Sequence, residues 1–421
     1  MRRALAIGAI VLLLIGATIY ALNHLDESTA TSSAVAVTPA LIERGAYLAL
    51  AGNCAGCHTQ RGSAPYAGGR AIPTPFGSVF APNLTPDATG LGGWTGDHFW
   101  AALHNGRGKD GQLLTPAFPY TNYALVSRDD ADALFAYLQS LPPVTAVRRP
   151  HELRFPYNTQ IALAAWRALY FRPATFTPKP GQSAAWNRGA YLTQGLGHCN
   201  ACHAARNALG ATGGLDDFSG GMLAALGWYA PSLHVAAEGS VAAWTPSAVA
   251  QWLKTGSSAK GTALGPMTEV ILGSTQHLTD TDLAAMTNYL QSLPQHAPAA
   301  KQVDDRPELK LRELGEKLYA DHCVACHGEK GEGAVGAYPP LAGNRLVTMS
   351  NPANLLAIIQ RGGFAPATAG NPRPYGMPPF TGLLDDTQQA ALASFLRHAW
   401  GNDAADVRPV DVLKLKTLRG G

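Results

Sequence analysis

The sequence predicts a mainly α-helical protein made of three tandem copies of one small domain, preceded by a single N-terminal membrane-spanning helix. Three observations lead to this fold class. All six cysteines fall in three copies of one short motif, similar helical segments flank each copy, and an uncharged run of 19 residues, 4–22, lies near the N-terminus. A chain of 421 residues is too long for one compact core and suits three domains of ordinary size.

The uncharged run is long enough to cross a bilayer as a helix. Arg2 and Arg3 precede it, and basic flanking residues favour a cytoplasmic N-terminus, which would place the rest of the chain outside the cytoplasm. The alternative is a cleaved signal peptide, for which Ala34-Val35-Ala36 offers a small-residue cleavage pattern. That pattern lies far beyond the run, and the run is longer than a usual signal core. We therefore expect a retained membrane anchor over residues 1–25.

The composition indicates globular domains and argues against a nucleic-acid partner. Hydrophobic residues make up 46% of the chain and charged residues 14%, which is enough apolar surface to form a core. The formal net charge is +3, from 32 basic and 29 acidic side chains. No block of lysines and arginines stands out that could neutralise a run of phosphates.

The cysteine motifs are Cys54-Ala-Gly-Cys57-His58, Cys199-Asn-Ala-Cys202-His203 and Cys323-Val-Ala-Cys326-His327. This spacing is the attachment pattern of c-type haem, in which two sulfurs add to the porphyrin vinyl groups and the adjacent imidazole ligates the iron. Disulfides, a zinc half-site or a redox CxxC are the alternatives. Three copies with no spare cysteine, and no second ligand pairs at zinc spacing, favour haem. We predict three covalently bound haem c groups, with iron ligands His58, His203 and His327.

Each motif is preceded by one similar helical segment and followed by another that carries an aromatic residue. The preceding segments are 43–48, 187–192 and 313–318, and the following ones are 134–142, 286–294 and 392–396. A glycine on the first helix allows the second helix to cross closely, and the aromatic side chain on the second fills the contact. We expect these two helices to frame each haem.

With these motifs, the chain from about Ala40 onward resembles class I cytochrome c, three times over. The resemblance implies an apolar crevice around each haem ring and a loop that returns a distal ligand. In the second repeat Gly265-Pro-Met267 follows a capped helix, and in the third the equivalent loop, 374–380, contains Met377. Met267 and Met377 are the predicted distal ligands. A thioether opposite an imidazole favours ferrous iron and raises the reduction potential.

The resemblance also gives the domain boundaries. Cytochrome c domains are expected over 40–143, 184–295 and 307–402, with a linker over 144–183 and a C-terminal tail over 403–421. The linker contains an apolar helix within 158–171. Such a helix must be covered, and we expect it to pack between domains. A docking surface for a membrane or partner is the alternative.

The first repeat departs from the pattern, because Phe118 occupies the position expected to hold methionine and this domain contains no methionine. His104 or His98, which share a short predicted helix, could supply a second imidazole and give a lower potential than a methionine ligand. His104 is the candidate we carry forward. The alternatives are an iron that is five-coordinate or binds water, and a His104 that merely occupies a solvated helix end.

A haem with both axial positions filled cannot bind a substrate and can only accept and pass electrons. The sequence has no GxSxG or HExxH motif, so we expect no substrate-converting site in this chain. The chain resembles the triheme cytochrome subunit of bacterial membrane-bound dehydrogenases. The matching segments are Gly68-Gly69, 74–77, 195–199, 227–231 and 338–344.

That family implies a cytoplasmic-membrane location with the haem domains facing the periplasm. The cytochrome subunit takes electrons from a catalytic subunit, either a molybdenum and iron–sulfur aldehyde oxidoreductase or a PQQ alcohol dehydrogenase, and delivers them to ubiquinone. Phe118 and the retained anchor favour the molybdenum branch. Two alternatives remain: a stand-alone or oxidase-linked electron carrier, and a haem protein whose open first iron acts on peroxide or gas ligands.

Overall fold

The computed structural model describes residues 2–24, 36–298 and 309–417. The chain is mainly helical, as predicted, with a few short strands. Ala34 and Val35 of the small-residue pattern lie outside the described residues. So do residues 299–308, between the second and third predicted domains, and the last four residues of the predicted tail.

The chain divides into two compact units. The first comprises Met1–Gln182, Tyr191–His198 and Arg206–Ala211, and the second comprises Ser183–Ala190, Cys199–Ala205 and Thr212–Gly421. The first and second predicted CxxCH motifs therefore belong to different units, whereas the second and third share one.

Among its described residues, the first unit contains seven α-helices, a three-stranded antiparallel sheet and one π-helical turn, Tyr191–Leu196. The helices are α1 Arg2–His24, α2 Pro39–Ala51, α3 Cys54–His58, α4 Gly96–Asn105, α5 Tyr120–Tyr123, α6 Arg128–Ser140 and α7 Gln160–Tyr170. The strands, in sheet order, are β1 Ala71–Thr74, β2 Gly77–Phe80 and β3 Glu152–Leu153.

The described part of the second unit contains the remaining helices and three antiparallel strand pairs, β4–β5, β6–β7 and β8–β9. Its helices are α8 Ala184–Ala190, α9 Asn200–His203, α10 Pro246–Thr255, α11 Pro266–Gly273, α12 Asp280–Gln291, α13 Leu309–His322, α14 Val324–His327, α15 Arg345–Thr348, α16 Ala353–Arg361, α17 Asp386–His398 and α18 Pro409–Thr417. Its strands are β4 Gly221–Leu223, β5 Trp228–Ala230, β6 Ser257–Ser258, β7 Gly261–Thr262, β8 Gly363–Phe364 and β9 Gly376–Met377. Short 3-10 turns are Ala224–Leu226, Thr275–His277 and Ala399–Gly401.

The same close helix crossing occurs in each repeat, between α2 and α6, α8 and α12, and α13 and α17. A glycine of the first helix lies against a backbone carbonyl of the second, and a Cβ at that glycine would approach the carbonyl oxygen to 1.9, 2.0 and 2.1 Å. The glycine–alanine pairs are Gly45–Ala133, Gly189–Ala285 and Gly315–Ala391, and the aromatic neighbours are Tyr137, Tyr289 and Phe395. No residue with a side chain fits at this contact, so the predicted crossing of glycine and aromatic residues is confirmed.

The second helix of each crossing begins at a side-chain cap. Ser127, Thr279 and Asp385 each accept a hydrogen bond from the backbone N–H three residues further on. Such caps satisfy a donor that the helix itself leaves unpaired. The local sequence thus sets where the aromatic-bearing helix starts, and hence which face meets the glycine.

Helix α1 is long and apolar enough to cross a membrane, with a mean hydropathy of 2.5 over its best window; a signal sequence would meet the same criteria. Its C-terminal end is held by polar contacts to α7. The Asn23 side-chain amide donates to the Ala164 carbonyl at 3.0 Å and accepts from Arg167 Nε at 2.9 Å. Helix α7 therefore packs against α1, while Ile161 and Leu169 on α7 are 83% and 66% exposed.

Candidate haem sites

Each CxxCH motif forms or closes a short helix that follows the first helix of its repeat. These helices are α3, α9 and α14. All six cysteines lie among the described residues and none of them forms a disulfide, which contradicts the disulfide alternative. Within residues 2–24, 36–298 and 309–417, no group of three or more His, Cys, Asp or Glu side chains is arranged to hold a metal ion.

Each of the three motif histidines makes the same kind of hydrogen bond, from its ring to a proline carbonyl. The Nδ1 atoms of His58, His203 and His327 lie 2.8, 2.7 and 3.1 Å from the carbonyl oxygens of Pro82, Pro231 and Pro339, respectively. A carbonyl can only accept, so Nδ1 carries the proton and Nε2 is left with its lone pair. This is how ligating imidazoles in proteins are usually oriented, by a hydrogen bond from the other ring nitrogen.

The proline partners were not identified from the sequence. A signal was available, because each proline is followed two residues later by leucine: Pro82-Asn-Leu84, Pro231-Ser-Leu233 and Pro339-Pro-Leu341. The distance along the chain from histidine to proline varies between the repeats, which hides the correspondence.

The buried surroundings of the motifs disfavour the charged forms of their histidine and cysteine side chains. Burial lowers the pKa of His58, His203 and His327, partly opposed by the proline hydrogen bond, so the imidazoles are held neutral as a metal ligand requires. Burial, together with the neighbouring cysteine, raises the pKa of Cys54 and Cys199 to about 12. The first thiol of each of these pairs thus lies in an apolar setting, which fits a porphyrin better than a charged metal–thiolate centre.

The predicted distal methionines lie on partly buried segments of the second unit. Met267 is the second residue of α11, directly after a turn at Gly265, whose φ is 59°. Met377 is on β9, paired with Gly363 on β8. Their ligation of iron stays a prediction.

In the first unit, His104 is 7% exposed and its ring stacks on Trp100 with centroids 4.4 Å apart. Its Nδ1 lies 2.9 Å from the Ala124 carbonyl oxygen and so donates to it. The account of His104 as a solvated helix end is therefore wrong. His98 caps α4 instead, accepting from the Thr95 backbone N–H at 3.2 Å. Ligation by His104 stays a prediction.

Several buried donors have no hydrogen-bond partner among the described residues, and they test whether a haem fits. They include Trp100 Nε1, Thr268 Oγ1 and Arg361 Nε. Leaving such a group unsatisfied costs roughly 1–3 kcal/mol, so each is expected to have an acceptor. Thr268 follows the predicted ligand Met267 directly, and a haem carries two carboxylates that accept hydrogen bonds. Thr268 Oγ1 is therefore consistent with a haem beside Met267.

Known proteins resemble this chain over most of its length. The cytochrome c family matches residues 42–142 and 313–400. The chain is 35% identical over 411 residues to the cytochrome c subunit of the quinone alcohol dehydrogenase of Gluconacetobacter polyoxogenes, covering 92% of this chain and 88% of that protein. It is 36% identical over 397 residues to the gluconate 2-dehydrogenase cytochrome c subunit of Pantoea cypripedii, covering 90% of each.

It is also 41% identical over 374 residues to a subunit of the nicotinate dehydrogenase of Pseudomonas putida. That match covers 86% of this chain but only 31% of the relative, so the chain spans about a third of that protein's length. On these similarities and the shared CxxCH geometry, the chain belongs to the cytochrome c family, among the cytochrome c subunits of bacterial dehydrogenases.

Proposed function

We propose that this chain is the membrane-anchored triheme subunit of a periplasmic dehydrogenase complex that oxidises an aldehyde or alcohol, and that it relays electrons from the catalytic subunit to ubiquinone. The observation that carries the proposal is the repeated site. Three CxxCH motifs each place a histidine whose Nδ1 donates to a proline carbonyl, and each follows a helix in the same glycine crossing.

Each repeat would hold one haem through the same three side chains. The two cysteines would hold the haem through thioethers, and the histidine, kept neutral with Nε2 available, would ligate the iron. The haem supplies reversible one-electron chemistry between ferric and ferrous iron. Oxidation of an alcohol or aldehyde releases two electrons, so a chain whose residues hold separate haems would supply one-electron acceptors for them.

The membrane location is supported by α1 and its flanks. The uncharged run of α1 follows Arg2 and Arg3, and by the positive-inside rule this arrangement favours an orientation with the haem domains in the periplasm. Asn23 and Arg167 join the end of this helix to α7, so the anchor is tied to the first unit. Electrons would then leave the chain close to a quinone dissolved in the bilayer.

For the catalytic partner we favour the molybdenum and iron–sulfur class over the PQQ class. Phe118 stands where the family usually carries its first methionine, and the expected retained anchor replaces the removable signal common in the alcohol dehydrogenase type. Both departures favour this choice.

The proposal is tested on the full chain purified from detergent-solubilised membranes. A pyridine haemochrome assay is expected to return three haem c per chain, and a catalytic dehydrogenase subunit is expected to co-purify and reduce the cytochrome when its substrate is added. Fewer than three haems would refute the triheme assignment. Reduction of a terminal oxidase but not of a quinone analogue would favour the oxidase-linked alternative.

A further inference from the structure

A tryptophan–arginine pair lies within the second unit, between residues of the second repeat and residues of the third. Trp228 is the first residue of β5, and Arg361 is the last residue of α16. The guanidinium carbon of Arg361 lies 5.4 Å from the centroid of the Trp228 ring. The same guanidinium donates to the Leu226 carbonyl at 2.9 Å, which fixes it over the indole.

Trp228 contacts the distal segment predicted for the second haem. A Cβ at Gly265 would lie 2.7 Å from the indole, so the ring occupies the space where a side chain at that position would be. Gly265 is two residues before Met267. The strand that carries Trp228 leads directly to Pro231, whose carbonyl accepts the hydrogen bond from His203 at 2.7 Å. The indole thus adjoins backbone that leads to both predicted axial ligands of the second haem.

Arg361 adjoins the distal segment predicted for the third haem. A Cβ at the next residue, Gly362, would lie 2.0 Å from the carbonyl oxygen of Met377, so the two backbones touch. Trp228 is itself 9% exposed and belongs to the apolar core of the third repeat. Asn354 of α16 fixes the strand by accepting from the Tyr229 N–H at 2.8 Å and donating to the Tyr229 carbonyl at 2.7 Å.

We propose that Trp228 and Arg361 form the contact through which the second and third haems exchange electrons. This inference rests on the proposed function, because it requires a haem at each site. One electron passes from a ferrous to a ferric iron, and no bond forms or breaks. Tunnelling slows steeply with distance and across gaps, and a packed indole between the two methionine segments gives a continuous path. The buried Nε of Arg361, which has no acceptor among the described residues, is suited to donate to a haem carboxylate and so to position a haem edge beside Trp228.

The test uses the full-length holoprotein in detergent, with no dehydrogenase or quinone present. A short pulse of a one-electron reductant is followed by rapid-freeze EPR, in which the low-spin ferric haems are distinguished by their g values. Trp228→Leu is expected to slow equilibration between the second and third haems by about tenfold. Trp228→Phe, which keeps a ring in the contact, is expected to restore most of the rate, and midpoint potentials are expected to stay unchanged in both variants.

Trp244 offers a matched control. It also lies beneath an arginine of the third repeat, with the Arg345 guanidinium carbon 5.5 Å from its ring centroid. Trp244→Leu is expected to keep the wild-type rate. If the wild-type protein carries three haems per chain and Trp228→Leu equilibrates at the wild-type rate, the role of the Trp228–Arg361 contact is overturned and the proposed function is not. Fewer than three haems in the wild-type protein would overturn the proposed function. Equal slowing in Trp228→Leu and Trp244→Leu would also overturn the role of the Trp228–Arg361 contact, since it would indicate a general loosening of the packing between the second and third repeats.

Discussion

Gly189→Ala tests whether the helix crossing is as close as the structure indicates. The added Cβ would lie 2.0 Å from the Ala285 carbonyl oxygen, far inside ordinary van der Waals contact, and the obstacle is backbone that cannot rotate away. Overpacking of this kind costs about 1–3 kcal/mol, and the rigid neighbour places it near the upper end. The better helix propensity of alanine returns about 1 kcal/mol. We expect a net loss of about 2 kcal/mol, or a Tm lower by about 4–8 °C for a unit of this size.

The assay is thermal unfolding followed by circular dichroism and by haem absorbance. Gly96→Ala is the matched control, because a Cβ at Gly96 would have its nearest neighbour at 3.4 Å, an ordinary contact. The control should keep or slightly raise the Tm. A Gly189→Ala protein as stable as the control would refute the crossing geometry, and with it the explanation of why the repeats carry glycine at this position.

Three further predictions concern the ligands and one ion pair. His104→Phe should convert the first haem to a high-spin form, and the spectrum of the reduced protein should then shift on adding carbon monoxide. His98→Ala should cause neither change. An unchanged His104→Phe spectrum would exclude His104 as the ligand. Met267→Leu should lower a single midpoint potential in a redox titration and abolish one thioether–iron band, and an unaltered titration would contradict ligation. For Asp406, burial raises the carboxyl pKa but hydrogen bonding and attraction from Arg312 outweigh it, so the pKa is lowered. The resulting stabilisation is present above the ordinary carboxyl pKa and is lost as pH falls through the lowered value. Urea unfolding should therefore show that Asp406→Asn is destabilising at pH 7, and that this effect shrinks as the pH falls below the ordinary carboxyl pKa. A pH-independent effect would contradict the ion pair.

Local features of the repeats were predictable from the sequence, and contacts across loops were not. The glycine–aromatic crossing follows from residues that recur at similar positions on neighbouring helices, so inspection of the repeats finds it. The hydrogen bond from His58 to Pro82 spans 24 residues, whereas the corresponding bond from His327 to Pro339 spans only 12. Because the loops between histidine and proline differ in length, the proline carbonyl that each motif histidine contacts becomes visible only in the structure.

His104 shows how a residue-type comparison misleads. Lys254 and Gln360 occupy the matched positions in the other repeats, and two polar side chains at this helix position favour the interpretation of His104 as a solvated helix end. In the first unit, however, Trp100 lies one helical turn earlier and covers the imidazole, while the Ala124 carbonyl satisfies its Nδ1. Gln360 is buried as well, and donates to Gln389 at 3.1 Å. Burial at this helix position is thus set by what packs on it and not by its polarity.

The two halves of each predicted haem site depend on different parts of the chain. The proximal half is built from the CxxCH helix and the proline carbonyl, and these are the same in all three repeats. The distal half comes from separate segments, which carry Met267, Met377 or, in the first repeat, Phe118. Because the glycine crossing involves neither half directly, the distal residue can change without disturbing the helix pair. One fold can therefore hold haems of different potential in a single chain, which is what a relay from a catalytic subunit to a final acceptor requires.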